Sequence, residues 1–207
     1  RVIGPAIADA VTGHYAATGI LAALIERGVT GQGRRLDISM LEAMCHFNLD
    51  SFTHYYSVGE VMGPLSRPVV SQSYTFECAD GQWIAIHMSS PPKFWTGFLS
   101  ATGQDHLATD PRFAANGDRT ANAKALDAEI AAATIGWTKQ GLLDACHAAG
   151  VPAGPINRLD EVFADPQVVA RGLRVDLGGM PGVRSPFVFS EAELALDRPS
   201  PIHGQDG

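Results

Sequence analysis

Cysteine is scarce in this sequence and shows no pairing pattern. The three cysteines, Cys45, Cys78 and Cys146, are odd in number and far apart, and no CxxC or Cys/His metal spacing occurs. A disulfide framework needs paired cysteines, and a structural zinc site needs closely spaced ligands. We therefore expect reduced thiols in a cytoplasmic protein, with no metal site.

Long apolar runs and an excess of positive charge are missing as well. No segment approaches the roughly 18 apolar residues of a membrane span, and no signal peptide is recognisable. The chain carries 15 Lys and Arg against 22 Asp and Glu, a formal net charge of -7 that repels a phosphate backbone. We expect neither a membrane nor a nucleic acid as partner. The first residue is Arg1 rather than Met, and we expect an internal piece of a longer protein.

What is present is an ordinary globular composition, 45% hydrophobic with 22 Gly and 13 Pro among 207 residues. This size suits one large domain or two small ones. The apolar spacing predicts a helix over 9–27 and a second helix over about 39–57. Gly13 and Gly19 are unfavourable inside the first helix, so we expect a ligand or a neighbouring backbone to approach closely there.

A different pattern starts near Ser71. Apolar and polar residues alternate on both sides of Asp80-Gly81, which is typical of a β-hairpin. The later elements that the pattern predicts are helices at about 92–102, 119–133, 138–149 and 159–171, an extended segment at 150–157, and short strands at 173–177 and 187–189.

These elements divide the chain into four parts. The helical hairpin and the last part cannot bury their apolar faces alone, so we expect them to belong to a larger α/β domain whose other half lies outside this chain. The parts are a helical piece of the large domain at 1–58, a linker at 59–70, a small α+β domain at 71–150, and a segment at 151–207 that returns to the large domain.

Asp9, at the start of the first helix, is the main candidate for chemistry. A carboxylate there accepts the free N–H groups of the first turn and is favoured by the helix dipole, so a helix cap is the simpler explanation. The same surroundings would keep a nucleophilic carboxylate ionised, and the small residues nearby would leave room for a substrate. The residues alone leave both interpretations open.

The other reactive side chains give weaker signals. The segment GVTGQGRR, 28–35, lacks the spacing of a phosphate-binding loop and follows a helix, so we interpret it as a turn. The seven histidines are scattered. Ser39, Ser71 and Ser73 lack a nucleophile-elbow motif. We interpret these side chains as structural.

The stretch IADAVTGHYAATGILAALIERGVTGQGRRLDISMLEA, 7–43, resembles the most recognisable segment of the family III CoA-transferases, the CaiB/BaiF family that includes formyl-CoA transferase and carnitine CoA-transferase. Its matching features are an acidic residue, a small-residue helix, a glycine turn and a methionine. They are Asp9, Ala22-Ala23-Leu24, Arg27, Thr30-Gly31-Gln32-Gly33 and Met40. The turn reads GQGR where members usually read GxGQ. The resemblance continues through YTFECADGQWIAI, DPRF, Arg119, GVPAGPIN and DPQ, and covers nearly the whole chain.

The resemblance implies a transferase that moves CoA from an acyl-CoA thioester to a free carboxylic acid. Asp9 would be the catalytic carboxylate, carrying first a mixed anhydride and then an aspartyl-CoA thioester. Coenzyme A would be a co-substrate, no metal would be required, and Met40 would lie near the CoA adenine. Residues 70–74 correspond to a loop over the family's active site, although this chain lacks the glycine run of some members.

The resemblance also implies a Rossmann-like large domain into which the small α+β domain is inserted. Family members form interlocked dimers. We therefore expect a homodimer, or a heteromer with a subunit that supplies the N-terminal half.

Two other functions stay open. An α-methylacyl-CoA racemase shares the fold and uses an aspartate at the position of Asp9 as a base, together with a histidine that would fall outside this chain. Alternatively, the chain is a non-catalytic subunit or fragment without the CoA-binding half.

Overall fold

A computed structural model describes residues 4–88 and 92–205 of the chain. The chain divides into two compact units, Arg1–Arg67 and Pro68–Gly207. None of the described helices has both the length and the apolar character needed to cross a membrane.

The first unit is helical. Its helices are α1 (Ile7–Thr30), α2 (Met40–Phe47) and α3 (Leu49–Val58), and α4 (Ser66–Val70) lies at the division between the units. The helix α1 ends at Gly31, whose φ of 71° is the left-handed conformation that glycine adopts readily. Residues 32–39 are irregular, and α1 and α2 pack against each other.

The prediction of one continuous helix over 39–57 is wrong at Asn48. This residue ends α2 and precedes α3, with φ -92° and ψ 23°. Its side-chain amide donates to the carbonyl oxygen of Met44 at 2.8 Å. Asparagine competes in this way with the backbone for hydrogen bonds, and therefore favours a break over a helix interior.

The second unit is built on an antiparallel sheet. The strands β1 (Ser73–Glu77), β2 (Trp83–His87) and β3 (Ala153–Ile156) lie in the order β1-β2-β3. The predicted hairpin is confirmed, with Tyr74 opposite Ile86 and Gly81 at φ 71° in the turn. Because β3 pairs with β2, the sheet continues beyond residue 150, the predicted end of the small domain. The division of the chain into four parts stays a prediction.

Helices make up most of the rest of this unit. They are α5 (Pro92–Thr102), a 3-10 helix (Asp105–Ala108), α6 (Asn116–Ala121), α7 (Ala123–Thr134), α8 (Lys139–Ala148), α9 (Leu159–Val162) and α10 (Pro166–Ala170). Of these, α7 and α8 contact the sheet directly. The core joins inward residues of the sheet, such as Ile84 and Ile86, to Phe98 of α5, Leu126 of α7 and Leu142 of α8. The burial of these apolar side chains holds the unit together.

A two-stranded sheet follows, formed by β4 (Arg174–Asp176) and β5 (Pro181–Val183). The predicted strand at 187–189 is wrong, since these residues are irregular. Arg184 explains this locally: its Nη1 donates to the carbonyl oxygens of Ser185 and Phe187, at 2.7 and 3.2 Å. The predicted helix at 159–171 is two short helices, α9 and α10, separated at Asp165, whose side chain caps α10.

Gly97 of α5 gives a stability prediction of unusual sign. Alanine normally stabilises a helix relative to glycine. A Cβ at Gly97, however, would lie 2.8 Å from the carbonyl oxygen of Ala149 and 3.1 Å from Val151 Cγ2. We expect Gly97→Ala to lower the free energy of unfolding by about 1–3 kcal/mol, as overpacked sites do. Urea denaturation measures this difference.

Gly117 is the matched control. It also lies in a helix, α6, and a Cβ there would meet nothing within 4 Å. Gly117→Ala should therefore raise the free energy of unfolding by about 0.4–1 kcal/mol. If both substitutions stabilised the protein, the close packing of α5 against Ala149 would be disproved.

Candidate active site

Asp9 lies in the first turn of α1 and does not cap the helix. The helix begins at Ile7, and the residue before it, Ala6, has no side chain that accepts a hydrogen bond. Asp9 is exposed. Its carboxylate makes no hydrogen bond or ion pair with any residue that the structure describes. The cap that would account for Asp9 structurally is therefore not formed, and the carboxylate stays accessible beside the positive end of α1.

The glycines of α1 differ in their surroundings. Gly13 lies one turn after Asp9, and a Cβ there would meet nothing within 4 Å. At Gly19 a Cβ would lie 2.8 Å from Leu36 Cδ2. Among the described residues, the close neighbour at Gly19 is thus a side chain of the following loop and not the backbone that we expect as one alternative, whereas the surface next to Asp9 is open.

Met40 is the first residue of α2 and is 48% exposed. The hydroxyl of Ser39 caps this helix: it accepts from the backbone N–H of Glu42 at 3.2 Å and donates to the Glu42 carboxylate at 2.5 Å. Asp9 and Met40 therefore lie on packed helices of one unit, although no hydrogen bond joins their side chains among the described residues.

A second link between these helices is the pair Tyr15 and His46. The Tyr15 hydroxyl lies 2.6 Å from His46 Nδ1, and the two rings meet edge to face at 5.3 Å. The glycine-rich segment 28–35 also contacts α1, because Arg34 forms a salt bridge with Glu26 of that helix at 2.6 Å.

Within residues 4–88 and 92–205, no three His, Cys, Asp or Glu side chains meet as metal ligands would.

The second unit contains a buried polar network that composition and spacing do not predict. Gln72 is 1% exposed and has a φ of 45°, in the left-handed region that residues other than glycine seldom adopt. Its Oε1 accepts from Arg119 Nε at 2.9 Å, and its Nε2 donates to Asn116 Oδ1. Arg119 is itself buried, and its guanidinium lies 5.0 Å from the Trp95 ring centroid.

Burial changes the protonation equilibria around this network. Desolvation lowers the pKa of the Arg119 guanidinium, with the opposing effects of Tyr74 and Asp118 being smaller. Desolvation also raises the pKa of the Tyr74 hydroxyl to about 12, against the field of Arg119. Tyr74 is therefore neutral at physiological pH, and does not neutralise the arginine.

Ser71 and Ser73 flank Gln72 and join a hydrogen-bonded chain. The two hydroxyl oxygens lie 2.9 Å apart, Ser73 Oγ lies 2.8 Å from His87 Nδ1, and Ser71 donates to the carbonyl oxygen of Pro68 at 3.3 Å. The sequence gives no nucleophile-elbow motif at these serines. The signal that could have found the network is Arg119, which the resemblance includes without a role.

Comparison with known proteins gives a consistent result. The sequence model described as CoA-transferase family III matches residues 1–207. A succinate–glutarate CoA-transferase of Agrobacterium fabrum is 36% identical over 98% of this chain and 52% of its own length. An acetyl-CoA:oxalate CoA-transferase of Acetobacter aceti is 31% identical over 96% of this chain and 51% of its own length.

Solved structures agree. A CaiB/BaiF family protein from Brucella suis superposes with a TM-score of 0.84 and 37% identity, over all of this chain and 55% of that one. The chain thus spans about half the length of the relatives that it matches.

Proposed function

The chain belongs to CoA-transferase family III, and from this membership we propose that its protein transfers CoA from an acyl-CoA thioester to a free carboxylic acid. The observation that carries the proposal is the carboxylate of Asp9, which is exposed, does not cap the helix and has no protein partner among the described residues. A carboxylate nucleophile needs accessible oxygen lone pairs, and hydrogen bonds to the N–H groups of the helix would have occupied them.

The proposed reaction proceeds through covalent intermediates on Asp9. An Asp9 oxygen attacks the thioester carbonyl, the C–S bond breaks, and a mixed anhydride and CoA thiolate result. The thiolate then attacks the Asp9 carbonyl carbon, which expels the donor carboxylate and leaves an aspartyl-CoA thioester. The acceptor carboxylate then attacks the aspartyl-CoA thioester, which gives a second mixed anhydride and CoA thiolate. The thiolate attacks the acyl carbon of the acceptor, which forms the new acyl-CoA and releases the Asp9 carboxylate. Charge and atoms balance at each step, and no oxidant or metal is consumed.

The N-terminal position of Asp9 on α1 suits this chemistry. The first N–H groups of a helix have no partners inside the helix, and its dipole favours negative charge nearby. These groups would stabilise the oxyanion that forms when either carbonyl is attacked. The open surface at Gly13 would leave room for the thioester.

Coenzyme A is the proposed co-substrate, with Met40 beside its adenine. The exposed half of the Met40 side chain would offer an apolar surface for the base. We expect Met40→Ala to raise the KM for acyl-CoA about tenfold while kcat changes little, because an interaction of equal strength in the ground and transition states affects binding alone. Steady-state kinetics with varied acyl-CoA measure both constants. A fall in kcat with an unchanged KM would contradict this role.

The large domain is proposed to be Rossmann-like and completed by polypeptide outside this chain, in a homodimer or in a heteromer. Support comes from the exposed apolar side chains of α1, for which water is an unfavourable neighbour. They are Ile20, Leu21, Leu24, Ile25 and Val29. The twofold greater length of the relatives is consistent with such a half.

An exchange assay tests the function. Succinate and glutarate are the acids to try first, since the named relative acts on them. Labelled acid incubated with the corresponding acyl-CoA should become labelled thioester. A racemase would instead introduce deuterium from D₂O at the α-carbon without moving CoA. Absence of exchange with either acid and with oxalate would refute the proposal.

A further inference from the structure

The pair Asn116-Gly117 begins α6, on the surface of the second unit. Both residues are exposed, and a Cβ at Gly117 would meet nothing within 4 Å. An asparagine before glycine is the arrangement in which a backbone nitrogen most readily reaches the preceding side-chain amide, because no Cβ restricts the approach. The chain has three further asparagines, and a residue with a Cβ follows each of them.

The backbone nitrogen of Gly117 has no hydrogen-bond acceptor among the described residues. Its helical acceptor would be the carbonyl oxygen of Phe113, four positions earlier. That oxygen accepts from Arg119 Nη1 at 2.8 Å, and the carbonyl oxygen of Ala114 accepts from the same nitrogen at 3.3 Å. Because both oxygens bond to Arg119 and not to Gly117, the Gly117 nitrogen stays available as a nucleophile.

The side-chain amide of Asn116 is bound at its oxygen only. Oδ1 accepts from Gln72 Nε2, whereas Nδ2 donates to no residue that the structure describes. At the other asparagines Nδ2 is held at 2.8, 2.9 and 3.4 Å, by the Met44 carbonyl at Asn48, the Asp118 carbonyl at Asn122 and the Asp165 carboxylate at Asn157. Asn116 therefore combines a leaving amine that is free with a carbonyl oxygen whose developing negative charge a donor stabilises.

The first turn of α6 can open without loss of the core. A helical backbone keeps the Gly117 nitrogen from the Asn116 side chain, so the attack requires this opening. The helix has six residues, and Ala115 before it offers no side-chain cap. So short a helix has little stability of its own, and local opening of this kind costs much less than global unfolding.

Arg119 would stabilise the product of such an attack. It is buried, and its hydrogen bonds go to Gln72 Oε1, at 2.9 Å, and to backbone carbonyl oxygens. No acid forms an ion pair with it within residues 4–88 and 92–205. The amide of Gln72 bonds to both Arg119 and Asn116. A carboxylate at position 116 would thus be one amide group away from a buried charge that neutral groups alone now contact.

We propose that Asn116 is a site of spontaneous deamidation, and that the aspartate it forms compensates the charge of Arg119. Hydroxide removes the Gly117 amide proton, and the nitrogen attacks the side-chain carbonyl carbon of Asn116. The new C–N bond closes a succinimide ring, the bond to Nδ2 breaks, and ammonia leaves with a proton from water. A second water molecule opens the ring at either carbonyl and gives aspartate or isoaspartate.

Peptide mass spectrometry after incubation of the 207-residue chain at mildly alkaline pH tests the site. Asn116 should deamidate at least about fivefold faster than the other three asparagines, which are internal controls. Gly117→Ala should lower the rate at Asn116 to that of these controls, and the open space at Gly117 lets this variant fold. Equal rates at all four asparagines of the wild type would overturn the proposal.

The same measurement in urea separates the effect of the structure from that of the sequence pair. The native chain should deamidate at Asn116 within about tenfold of the rate in the unfolded chain, because only a local opening is required. A native rate more than about a hundredfold lower would show that the fold protects Asn116, and the proposal would be wrong.

Asn116→Asp supplies the product directly. It should melt about 3 °C above wild type at neutral pH, and the gain should disappear where acid protonates the new carboxylate. Asn122→Asp is the matched control: Asn122 Nδ2 donates to the carbonyl oxygens of Arg112 and Asp118, and a carboxylate cannot donate, so its melting temperature should fall. An Asn116→Asp protein that melts at or below the wild-type temperature would refute the compensation of Arg119. Neither experiment depends on CoA transfer.

Discussion

Asp9→Ala is expected to abolish CoA exchange, with a fall in rate of at least about 10⁴-fold, as when other enzymes lose a covalent nucleophile. In the proposed mechanism, Asp9 carries both covalent intermediates. The fold should be unaffected, since the Asp9 carboxylate makes no hydrogen bond or ion pair with a described residue. Circular dichroism and the melting temperature check that second expectation.

Chemical trapping locates the intermediate independently of the mutant. Hydroxylamine added during turnover should convert an acylated Asp9 to its hydroxamate, which peptide mass spectrometry identifies. Asp37→Asn is the control, because Asp37 is an exposed carboxylate of the same unit, 88% exposed and 3.9 Å from Arg35. It should leave the exchange rate unchanged. An Asp9→Ala protein with more than a tenth of the wild-type rate would eliminate Asp9 as the nucleophile.

Local sequence signals were sufficient for the elements that depend on local physics. Asp80-Gly81 predicts a hairpin because glycine accepts the φ of 71° that the turn requires. The ends of α5 and α8 follow from apolar spacing in the same way. The errors occur where side chains bond to the backbone: Asn48 divides a predicted helix, and Arg184 binds the carbonyls of a predicted strand.

The candidate site shows the same difference between features that local sequence predicts and features that it does not. Asp9 at a helix N-terminus is visible in the sequence, but whether it caps the helix is decided by Ala6 and by the start of α1 at Ile7. The Gln72–Arg119 contact joins residues 47 positions apart. No spacing rule reaches that far, and a buried arginine in a polar stretch looks like a surface residue. Long-range polar contacts of this kind require the tertiary structure.

Amide hydrogen-exchange rates should differ widely between the two units of the 207-residue chain. In the first unit Ala43 is the one described residue that is buried, whereas the second unit has a continuous core from the sheet to α8. Protection follows burial and local stability. We expect amides of α5 and α8 to exchange at least about 10³-fold more slowly than those of α1, the factor that about 4 kcal/mol of local stability produces. Native-state exchange read by mass spectrometry measures it.

The contrast would connect stability to the proposed catalysis, because Asp9 is on the unit with fewer buried residues among those described. Apolar side chains that are 72% exposed at Ile25 and 85% exposed at Val29 contribute little to the stability of α1 while they remain in water. Adding the polypeptide that completes the relatives should therefore protect α1 and raise exchange activity together, while α5 serves as the internal control and stays unchanged. If α1 were as protected as α5 in the chain alone, the first unit would be stable by itself, and the need for a covering half would disappear.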